Sequence, residues 1–380
     1  MQPILKPLLG GVVAVSTLLC SGLAVTASPS VEIETDPSLS EVIPFSTPTT
    51  LSLTALDSYG QSLEAVNFDL TLLTPPKTPW WTSDFPIVEG TTLFEVTLPA
   101  DQGTAQLEKM MPIRGSYQLQ VLVSPQVEGS FEPYTQVLTL QVPENPVKYR
   151  NVAILLSILF IVGLGGGWVI GGDQKVLPGE TAPRRVQWLL SGTALVAIAV
   201  MLYVSVMAER AEAHPGGHGH SHDHGHEMVE SEPLDVKPVP ESIAAEIRTG
   251  AVATVGQAIP LAIAIADEGG QPIDNALLEV ETWLVGYDRV MQFTAQADRD
   301  GEFGWRQQFF DGAPHRIVVN VEPVPGSEPE FVPFTLTKTI DVNAVAPPIE
   351  TRMISLTYFT LFLALGTGIG YWLKRRVSLA

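Results

Sequence analysis

The chain has 380 residues, a formal net charge of −20 and a mean hydropathy of +0.21. Hydrophobic residues make up 45% and charged residues only 16%, so the acidity is concentrated in the water-facing parts of a chain that also has lipid-facing parts. That balance excludes nucleic acid as a partner and favours cations, while a single cysteine, Cys20, excludes an intramolecular disulfide, a thiolate metal site and CxxC redox chemistry.

Residues 1–27 carry one positive charge, Lys6, then an apolar core, then Val25-Thr26-Ala27, small residues of the kind signal peptidase accepts. The stretch reads as a signal peptide. An uncleaved first helix and a lipoprotein anchored through Cys20 are the alternatives, the second disfavoured by Leu19 at a place that wants a small residue.

From 28 to 147 the sequence alternates with a period of two, broken by Gly, Pro and Asp, which is the pattern of short antiparallel strands. The clearest cover 50–56, 65–73, 91–98, 117–123 and 136–142. A transmembrane helix is expected over 151–172, a short cytoplasmic loop over 173–185 and a second transmembrane helix over 186–208. A His-rich acidic linker, 209–240, leads to further strands at 258–266, 277–284, 290–297, 317–321 and 334–342. These make an extracytoplasmic unit spanning 241–346. A last span, 352–373, leaves a cytoplasmic tail of 374–380.

Lys175, Arg184 and Arg185 mark the short loop as cytoplasmic and Lys374, Arg375 and Arg376 mark the tail, which puts both β-rich regions outside; Lys148 and Arg150 run against this assignment. The spans hold no ionisable residue, which argues against an autonomous transporter. Gly163, Gly167 and Gly171, like Gly366 and Gly370, recur at four-residue spacing, which lets helices approach closely and would allow a homo-oligomer.

The two β-rich regions repeat one another. Asp57, Gly60, Gln61 and Leu63 line up with Asp267, Gly270, Gln271 and Ile273; Tyr117, Leu119, Val121 and Pro125 with His315, Ile317, Val319 and Pro323; Phe131, Pro133 and Thr135 with Phe331, Pro333 and Thr335. Three matches in one order, each ahead of an apolar segment, indicate a duplicated sandwich-plus-anchor unit. The expected fold class is therefore all-β extracytoplasmic domains plus transmembrane α-helices, with two immunoglobulin-like β-sandwiches. The phrase Gly270-Gln271-Pro272-Ile273-Asp274-Asn275-Ala276 resembles the immunoglobulin-like modules of bacterial envelope proteins, such as YtkA-like, FixH-like and carboxypeptidase-regulatory-like domains. The resemblance implies a fold and carries no activity with it.

Six of the seven histidines fall in one tract: His214, His218, His220, His222, His224 and His226, with Asp223 among them. Neutral imidazole is a ligand for Zn, Ni, Co and Cu(II), and the interleaved Gly and Ser allow several rings to converge on one ion. Ordering such a loop costs about 1–2 kcal/mol per residue, so moderate affinity and exchangeable registers are expected, which suits capture or handover of a divalent metal. In composition the tract resembles those of nickel, cobalt and zinc transport proteins and their accessory subunits. The expected partner is a membrane-embedded transporter or envelope complex on the bacterial inner membrane. The bland alternative is a flexible linker within a structural scaffold.

Other residues attract attention for chemistry. His315 near Asp311 suggests a pair, but its counterpart Tyr117 enters a strand, so a packed strand residue is expected. Trp80-Trp81 fits a core, a binding surface or an interfacial belt, and Asp298 to Glu302 fits a hairpin turn. No nucleophile–base pair or catalytic motif is present, so the chain is not expected to be an enzyme.

Overall fold

The strands form where apolar residues alternate with polar ones: in β2 (Pro48–Leu56) Leu51, Leu53 and Ala55 are buried while their neighbours are half exposed. The computed structural model describes residues 28–172 and 236–379 except positions 82, 251 and 328–330, together with positions 181, 183, 184, 186–192, 194, 195 and 199. The expected signal peptide at 1–27, most of the loop at 173–185 and the stretch 201–235 lie outside the described residues. The described positions within 184–199 are all helical.

The first copy holds β1 (Ser30–Asp36), β2, β3 (Val66–Leu73), β4 (Thr92–Ala100), β5 (Thr104–Met110), β6 (Gly115–Pro125) and β7 (Tyr134–Val142). The second holds β8 (Ile243–Thr249), the two-residue β9 (Ala253–Thr254), β10 (Ala258–Asp267), β11 (Ala276–Leu284), β12 (Arg289–Gln296), β13 (Glu302–Gln308), β14 (His315–Pro323), β15 (Phe334–Ile340) and the two-residue β16 (Val342–Asn343). Helix α1 (Pro146–Ile170) follows the first copy and α2 (Ile349–Leu379) the second. Both are long and apolar enough to cross a membrane.

Each copy is a β-sandwich of the same topology. Strands β1-β2-β5 face β7-β6-β3-β4 in the first, and β8-β10-β13 face β15-β14-β11-β12 in the second. The equivalence extends to backbone hydrogen bonds. Asp57 N donates to Gln61 O at 2.8 Å, and Asp267 N to Gln271 O at 2.9 Å. Each aspartate also accepts on Oδ1 from the glutamine N–H of its own turn, at 2.9 and 2.8 Å. The duplication read from sequence is thus a duplication of structure.

The two sandwiches are not beads on a string. β5 pairs with β12 and β4 with β13, so the sheets run through both copies as two seven-stranded sheets, β1-β2-β5-β12-β11-β14-β15 and β7-β6-β3-β4-β13-β10-β8. Each joint sets the fifth strand of one copy against the fourth of the other, an internal pseudo-twofold arrangement. Four strand edges that would otherwise face water or other chains are consumed in this way. The outer edges are tied across the sandwich by side chains: Gln136 on β7 accepts from Val31 N at 2.7 Å, and Lys338 on β15 donates to Ile247 O at 2.7 Å.

Helices α1 and α2 run side by side in the same direction, in close contact along their glycines. A Cβ on Gly163 or Gly167 would come within 2.3 Å of Leu363 O or 2.0 Å of Thr367 O, and one on Gly366 or Gly370 within 2.2 Å of Phe160 O or 2.1 Å of Leu164 O. The glycine stripes therefore face each other within one chain, where the sequence had suggested a surface for a second copy. Gly165 and Gly368, with nothing within 4 Å, serve as controls. Replacing Gly167 or Gly370 by Leu should lower the unfolding free energy of the detergent-solubilised protein by about 1–3 kcal/mol, as overpacking does. Gly165→Leu and Gly368→Leu should leave it nearly unchanged, as read by denaturant titration.

Candidate functional site

His214, His218, His220, His222, His224 and His226, with Asp223, lie outside the described residues. The chain re-enters the described residues at Val236. At the chain's re-entry, Lys237 O accepts from Thr335 N at 2.9 Å, near the start of β15. Because α2 follows the other end of β15 and β16, the described chain resumes at the end of the head far from the helices. Among the described residues no cluster of three or more His, Cys, Asp or Glu could hold a metal ion.

The described residues concentrate their unusual chemistry at the joint between copies. Lys109 on β5 pairs across the joint with Met291 on β12, and Gln307 on β13 pairs with Phe94 on β4. Lys109 and Gln307 hold equivalent places in the two copies, and both are fully buried. Lys109 Nζ reaches Met291 Sδ at 3.8 Å, with Thr49, also buried, opposite it on β2. Gln307 Oε1 accepts from Thr282 Oγ1 at 3.1 Å and from Trp305 Nε1 at 3.3 Å, leaving its Nε2 without a hydrogen bond. Burial lowers the Lys109 pKa to about 7.

His315 closes the same region. Its Nδ1 lies 2.8 Å from Ala313 O, its ring packs 4.8 Å from that of Phe309, and its Nε2 is buried without a partner. Burial chiefly, and the Lys109 charge to a lesser extent, lower its pKa to about 4, whereas the bond to Ala313 acts in the opposite direction. The matching Tyr117 is also buried, and its hydroxyl donates to Ile113 O at 2.6 Å and accepts from Ile113 N at 3.0 Å. Both residues therefore anchor the entry of a strand to the preceding loop, as expected for His315 from the repeat.

Around this core the joint is closed by aromatic packing and by surface ion pairs. Phe45, Phe85 and Phe310 meet with ring centroids 5.2–5.7 Å apart. Phe45 adopts φ 60, a left-handed conformation rare for a bulky side chain, and its N–H is fixed on Met111 O at 2.9 Å. Arg289 holds Glu108 in a two-pronged contact at 2.9 and 3.0 Å and also Glu281 at 2.8 Å; Arg306 holds Glu95 at 3.2 Å. An open cleft of about 340 Å³, of mixed polar and apolar lining, lies at the far end of the joint, between Asp101, Thr104 and Gln106 of one copy and Leu277, Thr294 and Gln296 of the other.

A second cluster ties the head to the helices. Glu144 pairs with Arg114 at 2.7 Å and with Lys148 at 3.3 Å, and Lys148 also reaches Asp84 at 3.0 Å. Lys148, the residue at odds with a charge-based orientation, is thus neutralised locally. Trp81 donates from Nε1 to Glu144 at 3.1 Å and stacks on Tyr149 of α1 at 5.6 Å, while its carbonyl accepts from Arg114 and Thr78. Of the roles open to Trp80-Trp81, sandwich-end packing fits Trp81, and Trp80 is 71% exposed.

Sequence reading singled out neither Lys109 nor Gln307. A lysine that breaks an apolar alternation in Ala105, Leu107, Lys109 was the available signal, but surface strands carry such residues routinely.

No family model and no curated protein matches the sequence. Among solved structures, the chain is similar to invasin, a bacterial integrin-binding protein, at 11% identity and a TM-score of 0.20, covering 83% of this chain and 40% of that one. It is similar to the Yersinia pseudotuberculosis adhesin InvE at 12% identity and a TM-score of 0.20, covering 83% and 60%, and to Escherichia coli alpha-2-macroglobulin at 8% identity and a TM-score of 0.21, covering 82% and 15%. The chain spans less than two thirds of the length of each. At these scores the likenesses carry no argument about activity, and the sandwich fold stands on the strand order of the chain itself.

The buried lysine has a measurable consequence. Unfolded, Lys109 takes up its proton near its ordinary pKa of 10.5; folded, only near 7. The unfolded state therefore binds more protons in that window, so stability should rise with pH from about 7 to 10.5, with the penalty fully present below 7. His315 adds a second rise, from about 4 to its ordinary 6.5. Lys109→Met should stabilise the protein by an amount on the order of a few kcal/mol at pH 6 and remove the upper slope, as read by denaturant titration across pH.

Proposed function

We propose that the chain is a membrane-anchored, extracytoplasmic metal-binding accessory protein that captures or hands over Ni, Co or Zn through the tract His214 to His226. The reading is carried by one observation: six of the seven histidines, alternating with Gly, Ser and Asp223, fall between the apolar segment 186–208 and the second sandwich. A string of imidazoles on glycine-rich backbone forms sites of low geometric specificity and fast exchange, properties that serve delivery better than catalysis. The acidic net charge raises the local concentration of cations around the tract. The partner that suits such an anchor is a membrane-embedded transporter or envelope complex of a bacterial plasma membrane.

A scaffold is the competing reading, favoured by the rigidity of the head: both sheets are continuous through the two copies, and the Arg114–Glu144–Lys148–Asp84 chain of charges ties the first copy to α1. Here the histidines would be incidental, and the outer surface of the double sandwich would grip the complex.

Calorimetric titration of the detergent-solubilised full chain with Ni, Co and Zn should show uptake at pH 7.5 that weakens as pH falls through the imidazole pKa of about 6.5, because protons compete for the ring nitrogens. Deleting 214–226 should abolish the uptake and the metal phenotype of the cell. If the deletion leaves metal handling intact while disruption of the head removes the phenotype, the scaffold reading replaces this one.

A further inference from the structure

The strand register sets which loops share an end of the head. Asp36 pairs with Thr50, Leu73 with Thr92 and Gln118, and Gly115 with Val142, so the β1–β2 and β3–β4 connections lie at the end from which α1 leaves. In the second copy Leu284 pairs with His315 and His315 with Ile340, which puts the β11–β12 turn at the end from which α2 leaves. Val252 joins them, because the adjoining β9 pairs with β16 just ahead of α2.

These connections carry exposed apolar side chains where loops are ordinarily polar: Trp80 (71% exposed), Val252 (73%) and Tyr287 (67%), with Ile43, Val285 and Val345 also exposed. Trp80 is placed against α2. Its carbonyl accepts from Tyr358 Oη at 2.8 Å, and Tyr358 lies beyond Arg352, the last charged residue before the uncharged, mostly apolar run 353–373. The six helical steps from Arg352 to Tyr358 rise about 9 Å along the axis. The tyrosine side chain leans back toward the helix start, which still leaves Trp80 at the border of the apolar band. Trp81 stacks on Tyr149 at the corresponding level of α1. At the other end of the helices a second aromatic set, Trp168, Tyr371 and Trp372, lies under Lys374, Arg375 and Arg376 at 5.4, 4.8 and 4.2 Å.

We propose that this end of the double sandwich is a lipid-docking surface, with Trp80, Val252 and Tyr287 seated at the headgroup–acyl boundary of the bilayer that holds α1 and α2. The occupant is lipid because the surface is continuous with two helices of spanning length and because Trp and Tyr are the side chains suited to that boundary. Attraction to anionic headgroups is not the main force: Arg114, Glu144, Lys148 and Asp84 pair with one another, Arg150, Glu350 and Arg352 at the helix starts leave a single net positive charge, and the chain as a whole is acidic. Docking therefore depends on apolar contact and should persist in high salt. This inference rests on the anchoring part of the proposed function and is independent of the metal.

The test uses the full chain with Cys20→Ser in liposomes of zwitterionic lipid, carrying an environment-sensitive fluorophore on a single cysteine. At Trp80→Cys, Val252→Cys and Tyr287→Cys the emission should shift to the blue and be quenched several-fold more strongly by nitroxide lipids than at Tyr59→Cys and Val332→Cys on the far end, at both 0.05 and 1 M NaCl (ionic strengths that bracket the screening range, roughly 14 to 3 Å). Equal quenching at both ends, or no quenching at the near end, overturns the docking surface. Flotation with the vesicles after an alkaline wash reads the anchoring separately: a chain that floats yet shows water-exposed near-end labels loses only the docking, and a chain that fails to float loses both.

Discussion

Two short antiparallel ladders hold the architecture together. Lys109, Glu108 and Leu107 pair with Met291, Gln292 and Phe293, and Val96, Glu95 and Phe94 pair with Trp305, Arg306 and Gln307. Each joint is only three residue pairs long, yet together they turn two sandwiches into one body whose hydrophobic core runs through both. Backbone pairing fixes orientation far more tightly than side-chain contact alone, because register admits only discrete steps and a one-residue slip would exchange inward and outward faces. With both copies locked in one orientation, α1 and α2 leave from the same end, and their glycine stripes can meet.

The joint carries a destabilising element at its centre. A lysine without a counter-ion, a glutamine with an unused amide and a histidine with an unused ring nitrogen sit in the merged core. Such groups cost more than apolar residues of similar size would. Their surroundings compensate by packing: Phe45, Phe85 and Phe310 form a tight aromatic knot at the near end, and Arg289 grips Glu108 and Glu281 at the rim. Rim pairs of this exposure contribute little net energy and chiefly define which strand faces which.

Much of the fold was legible because period-two alternation reports directly on burial. The strands expected at 50–56, 65–73, 117–123 and 277–284 lie within one or two residues of β2, β3, the middle of β6, and β11. Those not singled out, β1, β5, β8 and β13 besides the two-residue β9, have weaker signals for separate reasons. β1 and β8 are edge strands whose outer residues face water. β5 and β13 place Lys109 and Gln307 inward, so the alternation fails at the positions where the copies join. The joint itself left no mark in local pattern, since pairing between β5 and β12 involves residues far apart in sequence. The histidine tract was legible for the opposite reason: its signal is composition, which needs no fold.

The same pairing scheme fixes stoichiometry. Each copy presents one fourth strand and one fifth strand, and each is completed by its opposite number, which is how two identical subunits would join around a twofold axis. Fusion into one polypeptide makes that association independent of dilution and guarantees one of each half per molecule. Once the halves are obligate neighbours they are free to differ: position 117 is tyrosine where 315 is histidine, and a lysine stands at 109 where 307 is glutamine. Asymmetry of that kind is closed to a symmetric pair of separate chains, in which every substitution appears twice.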